Sequence, residues 1–312
     1  MTRLAAALAA LLILAGCGPS DPKAGGAITL HVGSQKGSTK AMMVASGALD
    51  GATYRVEWSE FPAAQPLLEA IGSGAVDLGL AGDAPFMFAY QGGSPIKAIA
   101  AQTVGTYPAA ALSILVPAGS PVRTLADLKG RKVATTRGSI GHYLVIRALI
   151  AAHLPPDYVA LVFLSPGDAK AAFSSGAIDA WSAWTPYTST ALKQGARVLV
   201  DAPGLLEVHS FDVANERTLA AHRLILADFL AREARALHWA HDHPKDFAAV
   251  LARETGLPED VALDYATKNS RLSVPLDAKV IDAQRTVLKD FQTAGAFKTA
   301  RPVDAAFDPV SD

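Results

Sequence analysis

The chain has 312 residues, a formal net charge of −1 and a pI near 6.7, so it carries no electrostatic footprint for nucleic acid. Half of its residues are hydrophobic and 18% are charged, which excludes a disordered or fibrous chain and suits one large globular domain or two medium ones.

The first segment reads as an address. Arg3 precedes the apolar run Leu4 to Leu14, which is too short for a permanent membrane span and ends in Leu14-Ala15-Gly16-Cys17. Small residues before a cysteine resemble the bacterial lipobox. Residues 1–16 are therefore expected to be a lipoprotein signal peptide, with Cys17 the lipid anchor and residues 17–27 a flexible tether. Cys17 is the only cysteine, so no disulfide within the chain is possible and no thiol nucleophile remains once it is acylated.

From Ile28 the pattern alternates. Strands are predicted at Ile28-Val32, Tyr54-Trp58, Val76-Ala81 and Ile96-Gln102, with helices at Ser38 to Leu49, Pro66 to Ile71 and Pro85 to Gln91 between them. A second unit repeats the rhythm. It has strands at Arg131-Thr135, Tyr158-Leu164, Ile178-Ala183 and Val198-Val200, and helices at Gly141 to Ala152, Gly167 to Phe173 and Pro186 to Gln194. The last third reads as helices over Leu219 to His241, Pro244 to Glu254, Pro258 to Lys268 and Asp277 to Gln292, a block expected to buttress the first lobe.

Two short motifs recur in register. Ser73-Gly-Ala-Val-Asp77 returns as Ser175-Gly-Ala-Ile-Asp179, and Val32-Gly-Ser-Gln-Lys-Gly-Ser38 is echoed by Val133-Ala-Thr-Thr-Arg-Gly-Ser139. Two like lobes on a hinge form a cleft. The expected division is 28–112 plus 213–312 for lobe 1 and 113–212 for lobe 2, with crossings near Ala111-Pro117 and His209-Ala214. Strand–helix alternation argues for an α/β fold with a mainly parallel sheet in each lobe.

Four turns precede helices: Gln35 to Ser38, Gly82-Asp83-Ala84-Pro85, Arg137 to His142, and Trp184-Thr185-Pro186. A helix N-terminus offers unpaired N–H groups and a partial positive charge, which suits a small anion. Singly, Ser38, Ser139, Asp83 and Thr185 read equally as helix caps. Asp83 beside an anion would repel it, and so is a cap or a partner for a ligand amine or hydroxyl. Trp184, at the turn, is the candidate for an apolar wall, with Trp181 in the core. His142 is a donor to an oxyanion or a cap-region histidine. Lys36 and Arg137 are rim charges or direct ion-pair partners. The motifs G-x-S-x-G, H-E-x-x-H, C-x-x-C and the P-loop are all missing, and the His238, His241 and His243 group has no framework for a metal. No catalytic residue, metal or cofactor is expected.

Val32 to Ser38, Glu57 to Pro62, Gly82 to Pro85, Asp127 to Val133, Arg137 to His142, Asp168 to Phe173 and Ile178 to Tyr187 resemble, in order, the aliphatic-sulfonate-binding proteins of ABC importers. The resemblance spans Ile28 to Phe211 and implies a two-lobed periplasmic-binding-protein fold of type 2. It implies ligand contacts at Gln35, Gly82, Asp83, Ser139, Gly141, His142 and Trp184. Ile140 is a departure, since the family often has a run of serines after Gly138. The implied partners are a small sulfonate-like anion and ABC permease subunits, for a monomer held by lipid in the periplasm or at the outer face of the cytoplasmic membrane. Nitrate, taurine and thiamine-precursor binding proteins are more distant relatives, and the same fold hosts a sulfinate desulfinase and a pyrimidine synthase.

Overall fold

A computed structural model describes residues 28–310 apart from 37, 106, 208, 298 and 299. Cys17 and the expected signal peptide and tether lie outside the described residues.

The chain begins with β1 (Thr29–Gln35), α1 (Ser38–Ala45), β2 (Arg55–Phe61), α2 (Ala64–Ser73), β3 (Leu78–Gly82), α3 (Asp83–Gln91) and β4 (Ile96–Thr103). It crosses over residues 104–111 into β5 (Leu112–Val116), β6 (Lys132–Thr135), α4 (Ile140–Ala151), β7 (Ala160–Phe163), α5 (Pro166–Ser174), β8 (Ala180–Trp184), α6 (Tyr187–Lys193) and β9 (Arg197–Asp201). It returns over 202–209 into β10 (Ser210–Asn215), α7 (Glu216–Asp242), α8 (Pro244–Thr255), α9 (Glu259–Lys268), β11 (Leu272–Val274) and α10 (Ala278–Thr293).

Two sheets result, ordered β2-β1-β3-β10-β4-β11 and β7-β6-β8-β5-β9. They share one plan. β1, β2 and β3 pair in parallel, as do β6, β7 and β8, and one antiparallel strand is inserted beside β3 or β8 in each sheet. The inserted strands, β10 and β5, are the first strands after each crossing. The sheets are therefore mixed, because a chain arriving from the other lobe runs against its new neighbours. Both crossings end before these strands begin. Ser210 to Asp212, on the lobe 2 side of the expected boundary, thus sit in the six-stranded sheet.

The repeated motif explains the shared plan. Gly74 and Gly176 both take positive φ (81° and 74°), which reverses the chain after α2 and α5 at low steric cost. The aspartate that follows clamps the first strand of its lobe's parallel block, β1 or β6. Asp77 N donates to His31 O and His31 N to Asp77 Oδ2, both at 2.8 Å, while Asp179 N donates to Lys132 O and Lys132 N to Asp179 Oδ2, both at 2.9 Å.

The core follows the strand pattern. β5 is buried along its whole length, as a central strand must be. Leu226, Phe229, Leu230 and Leu237 of α7 pack under the six-stranded sheet at helical spacing. α10 does not serve the first lobe alone. Asp290 accepts from Tyr143 Oη at 3.0 Å and pairs with Arg147 at 3.2 Å, both on α4 of the second lobe.

Candidate functional site

A cavity of about 100 Å³ lies between the lobes, at the carboxyl ends of the parallel strands. Gln35, Lys36, Ser38, Thr39, Ala64, Gln65, Leu80 and Gly82 face it from one side, and Ser139, Ile140, Trp184 and Thr185 from the other. Among the described residues no carboxylate lines it, whereas Lys36 and Arg271 do.

Three helices begin at its wall, and their first amides decide what it can hold. In α4 the cap is Ser139, whose Oγ accepts from His142 N at 3.1 Å and lies 3.3 Å from Thr135 Oγ1. That fills the third amide of the helix and leaves those of Ile140 and Gly141 without an acceptor among the described residues. In α1, Lys40 N bonds Ser34 Oγ at 3.4 Å, and the Ser38 and Thr39 amides are left. α2 has no side-chain cap, so Ala64 and Gln65 N–H are unclaimed. Gln65 also presents both amide atoms of its side chain, buried and without a partner. Buried donors with nothing to bond are costly unless a ligand or water meets them, and their sign favours an anion.

The third expected helix start works differently. Asp83 is buried, with its backbone N–H donating to His209 O at 3.0 Å and its Oδ1 accepting from Ala84 N at 2.7 Å. Its Oδ2 accepts from His209 N at 3.4 Å. With Pro85 next in line, α3 has no early amide to offer. Asp83 faces away from the cleft, into a larger groove shared with Tyr143, Arg147 and His209, and fastens the second crossing to α3. Burial pushes its carboxyl up to about 7, against the pull of those amides.

Other expected residues divide in the same way. Gln35, Gly82, Ser139, Ile140 and Trp184 are brought together in the cavity wall. Gln35 is partly committed, since its Nε2 donates to Leu80 O at 2.7 Å. Gly141 and His142 do not line it. Gly141 is a packing position, where an added Cβ would sit 2.7 Å from both Ser182 O and Thr135 Oγ1. The His142 ring turns inward, Nδ1 accepting from Gly138 N at 3.2 Å and the ring meeting Phe163 and Phe291 edge-on. Burial lowers its pKa to about 4, so the ring is neutral and serves the core.

Trp181 and Trp184 part as the strand period requires. Trp181 packs on Phe173 in the lobe core, and Trp184 stands at the cavity with Tyr187 edge-on at 5.8 Å. Lys36 lies over the Tyr187 ring at the rim. Arg137 is exposed, stacked on Phe163 at 3.9 Å, and absent from the cavity wall.

Sequence reading missed the contribution of the last third. Tyr265, Asn269 and Arg271, around the end of α9, close the cavity floor. Asn269 Nδ2 donates to Thr185 Oγ1 of the second lobe at 2.7 Å, and Arg271 donates to Asn269 Oδ1 at 3.1 Å. No turn motif marks these residues. They reach the cleft only because α9 docks on α6, where Lys193 pairs with Asp260 and Ser189 with Asp264 across the lobes.

Two lobes of one topology, joined by two crossings and enclosing a polar cavity, define the periplasmic-binding-protein fold. The chain belongs to the NMT1/THI5-like family, whose model matches residues 56–247. It is 36% identical over 283 residues to an Escherichia coli (strain K12) protein named as an aliphatic sulfonates-binding protein, covering 89% of this chain and 86% of that one. The alkanesulfonate-binding protein from Xanthomonas axonopodis pv. citri, solved with MOPS bound, superposes with a TM-score of 0.82 at 31% identity, covering 90% of this chain and 98% of the other. A desulfurization enzyme shares the fold at 18% identity and a TM-score of 0.63, covering 90% and 96%.

Proposed function

We propose that this protein is the solute-binding component of an ABC importer and captures a small organic sulfonate by closure of its lobes. The carrying observation is the cavity without carboxylates, where unclaimed amides of α1, α2 and α4 converge with Arg271. A sulfonate is ionised at every physiological pH and only accepts hydrogen bonds, so amides and a guanidinium meet its whole demand, and a low dielectric strengthens each bond. Ser139 and Gln65 complete the head site, and Trp184 supplies an apolar wall to the main cavity. The names of the relatives support the same ligand class. Calorimetric titration with alkanesulfonates, taurine, sulfate, nitrate and a pyrimidine tests it. Micromolar or tighter binding confined to sulfonates is the expected result, and binding of the pyrimidine alone would refute it.

The protein acts as a carrier and not as an enzyme. Its single cysteine is Cys17, within the expected lipobox. Bound sulfonates and sulfinates should be recovered unchanged after long incubation. Cys17 holds the lipid that keeps a monomeric protein at the outer face of the cytoplasmic membrane or in the periplasm, beside its permease. A diacylglyceryl group on Cys17 by mass spectrometry is the expected result, and cleavage elsewhere would remove the anchor.

A further inference from the structure

The cleft has a branch. Leu80, Tyr265, Asn269 and Arg271 line both the main cavity and a side pocket of about 30 Å³ that runs into the first lobe toward Gln102 and Glu233. That volume holds roughly one or two water-sized groups and no more. Its inner end is polar and almost fully buried, with Glu233 at 2% exposure and Gln102 at 1%, and Asp212, bonded to Gln102, is at 2%.

Hydrogen bonding there is incomplete in a specific way. Gln102 Nε2 donates to Asp212 Oδ2 at 3.0 Å, and Asp212 also hydrogen-bonds Glu233. Two carboxyls that touch out of water cannot both ionise, so one proton is shared between them. Burial raises both carboxyls, Asp212 to about 6 and Glu233 well above the usual carboxylate range. Arg271 lies where the two cavities meet, and its charge pulls both carboxyls down against burial. Two acceptors are left without a donor: Gln102 Oε1 and Glu233 Oε2. Both belong to residues that line the side pocket.

We propose that this side pocket selects sulfonates whose short tail ends in a hydroxyl, which donates its one proton to Glu233 Oε2 or Gln102 Oε1. This rests on the sulfonate reading of the main cleft and adds the tail chemistry. A hydroxyl meets one of these buried acceptors without bringing a charge into the pocket. An ammonium would add a positive charge beside Arg271. A plain methyl would leave both oxygens unsatisfied, a loss that buried polar sites register strongly.

The experiment compares isosteric pairs by calorimetry: hydroxyethanesulfonate with propanesulfonate, and hydroxypropanesulfonate with butanesulfonate, with aminoethanesulfonate as the cationic control. The hydroxyl member of at least one pair should bind about tenfold tighter than its alkyl partner, and the amine no tighter than the alkyl chain. Glu233→Met should lower the ratio. Glu233→Gln should keep it, because its amide N–H donates to Asp212 and its carbonyl takes the place of Oε2. If Glu233→Met fails to fold by thermal unfolding, Gln102→Met removes the other acceptor and should lower the ratio. Equal affinity within both pairs, tighter binding of the amine than of the hydroxyl, or a ratio that survives both Met substitutions would overturn the assignment. Binding of neither alkyl nor hydroxyalkyl sulfonates would instead sink the sulfonate reading, and the tail assignment with it.

Discussion

Asp77 and Asp179 do the same work in the two lobes: each carboxylate accepts an amide of the first strand of its own parallel block, His31 at 2.8 Å and Lys132 at 2.9 Å. Asp77 carries a second bond, from Thr218 Oγ1 at 2.7 Å, which ties α7 to the same corner. Asp179 carries a half-exposed ion pair with Arg131, a contact worth little in water.

Replacing either aspartate with alanine should therefore cost about 1–2 kcal/mol, with Asp77→Ala the larger. Urea unfolding measures it. Equal stability of wild type and Asp77→Ala would mean that the clamp is decorative. Asparagine at either site keeps an acceptor and should lose less.

The clamp also shows how much of the fold was legible. A five-residue repeat announced two lobes because glycine at positive φ and an aspartate at a fixed offset have local causes. The parallel blocks followed from strand–helix alternation for the same reason. β5 and β10 were not legible as antiparallel inserts, because strand direction after a crossing depends on which sheet receives the chain. Within the candidate site, Gln35 and Trp184 were readable as residues at strand ends and Ser139 as a cap in the turn after one. Asp83 and His142 were not, since the direction of a side chain at a helix start is settled by its neighbours: the His209 loop in one case and the Phe163–Phe291 pair in the other. Gln65 had a faint signal, an amide in the first turn of a helix with no capping residue before it. Arg271 had none, because α9 brings it to the cleft from far along the chain.

The site's charge should come from Arg271 and not from Arg137. Arg271→Met should weaken binding of the best alkanesulfonate by roughly tenfold to a hundredfold, the range for one charge-assisted hydrogen bond. Arg137→Ala, which removes an exposed group stacked on Phe163, should change affinity by less than about twofold, mostly through the association rate at low salt. A larger loss from Arg137→Ala than from Arg271→Met would reverse this placement.

Ser139 has two duties, and two readouts separate them. As the cap of α4 its loss to alanine should cost about 1 kcal/mol of stability, and Ser139→Gly only a few tenths. As a wall of the cavity its hydroxyl should matter equally to both variants in sulfonate titrations. If the glycine variant bound as tightly as wild type, the hydroxyl would be a cap alone.

Closure should be sensitive to the bonds at the mouth. Tyr187 Oη donates to Pro62 O at 2.9 Å and Asn269 to Thr185 at 2.7 Å, each joining one lobe to the other. Tyr187→Phe removes one such bond and should weaken ligand affinity by about twofold to tenfold while leaving the lobes intact. Small-angle scattering should show wild type contracting on saturation with ligand, and the variant contracting only at higher ligand concentration. A radius of gyration indifferent to ligand in both proteins would show that the lobes do not move.

Asp83 gives the fold a pH signature whose sign follows from its burial. In the unfolded chain its carboxyl titrates near 3.9, and in the folded protein near 7. Between those values the folded state keeps a proton that the unfolded chain has released, so this contribution is full below about pH 4 and is lost as pH rises through 7. His142 tilts the other way in the lower part of that window. Its pKa falls from about 6.5 unfolded to about 4 folded, so its contribution is present above 6.5 and is lost as pH falls toward 4. The two overlap below pH 6.5, and the Asp212–Glu233 pair adds its own slope. Asp83 is therefore read as the difference between wild type and Asp83→Asn from pH 6 to pH 8. Asparagine keeps an acceptor for Ala84 N and takes no proton. Wild type should lose up to about 1.4 kcal/mol per pH unit against the variant until the carboxyl is ionised, and then run parallel to it. Parallel curves across the whole range would mean that Asp83 is already charged in the folded protein, held by the His209 and Ala84 amides more strongly than burial opposes it.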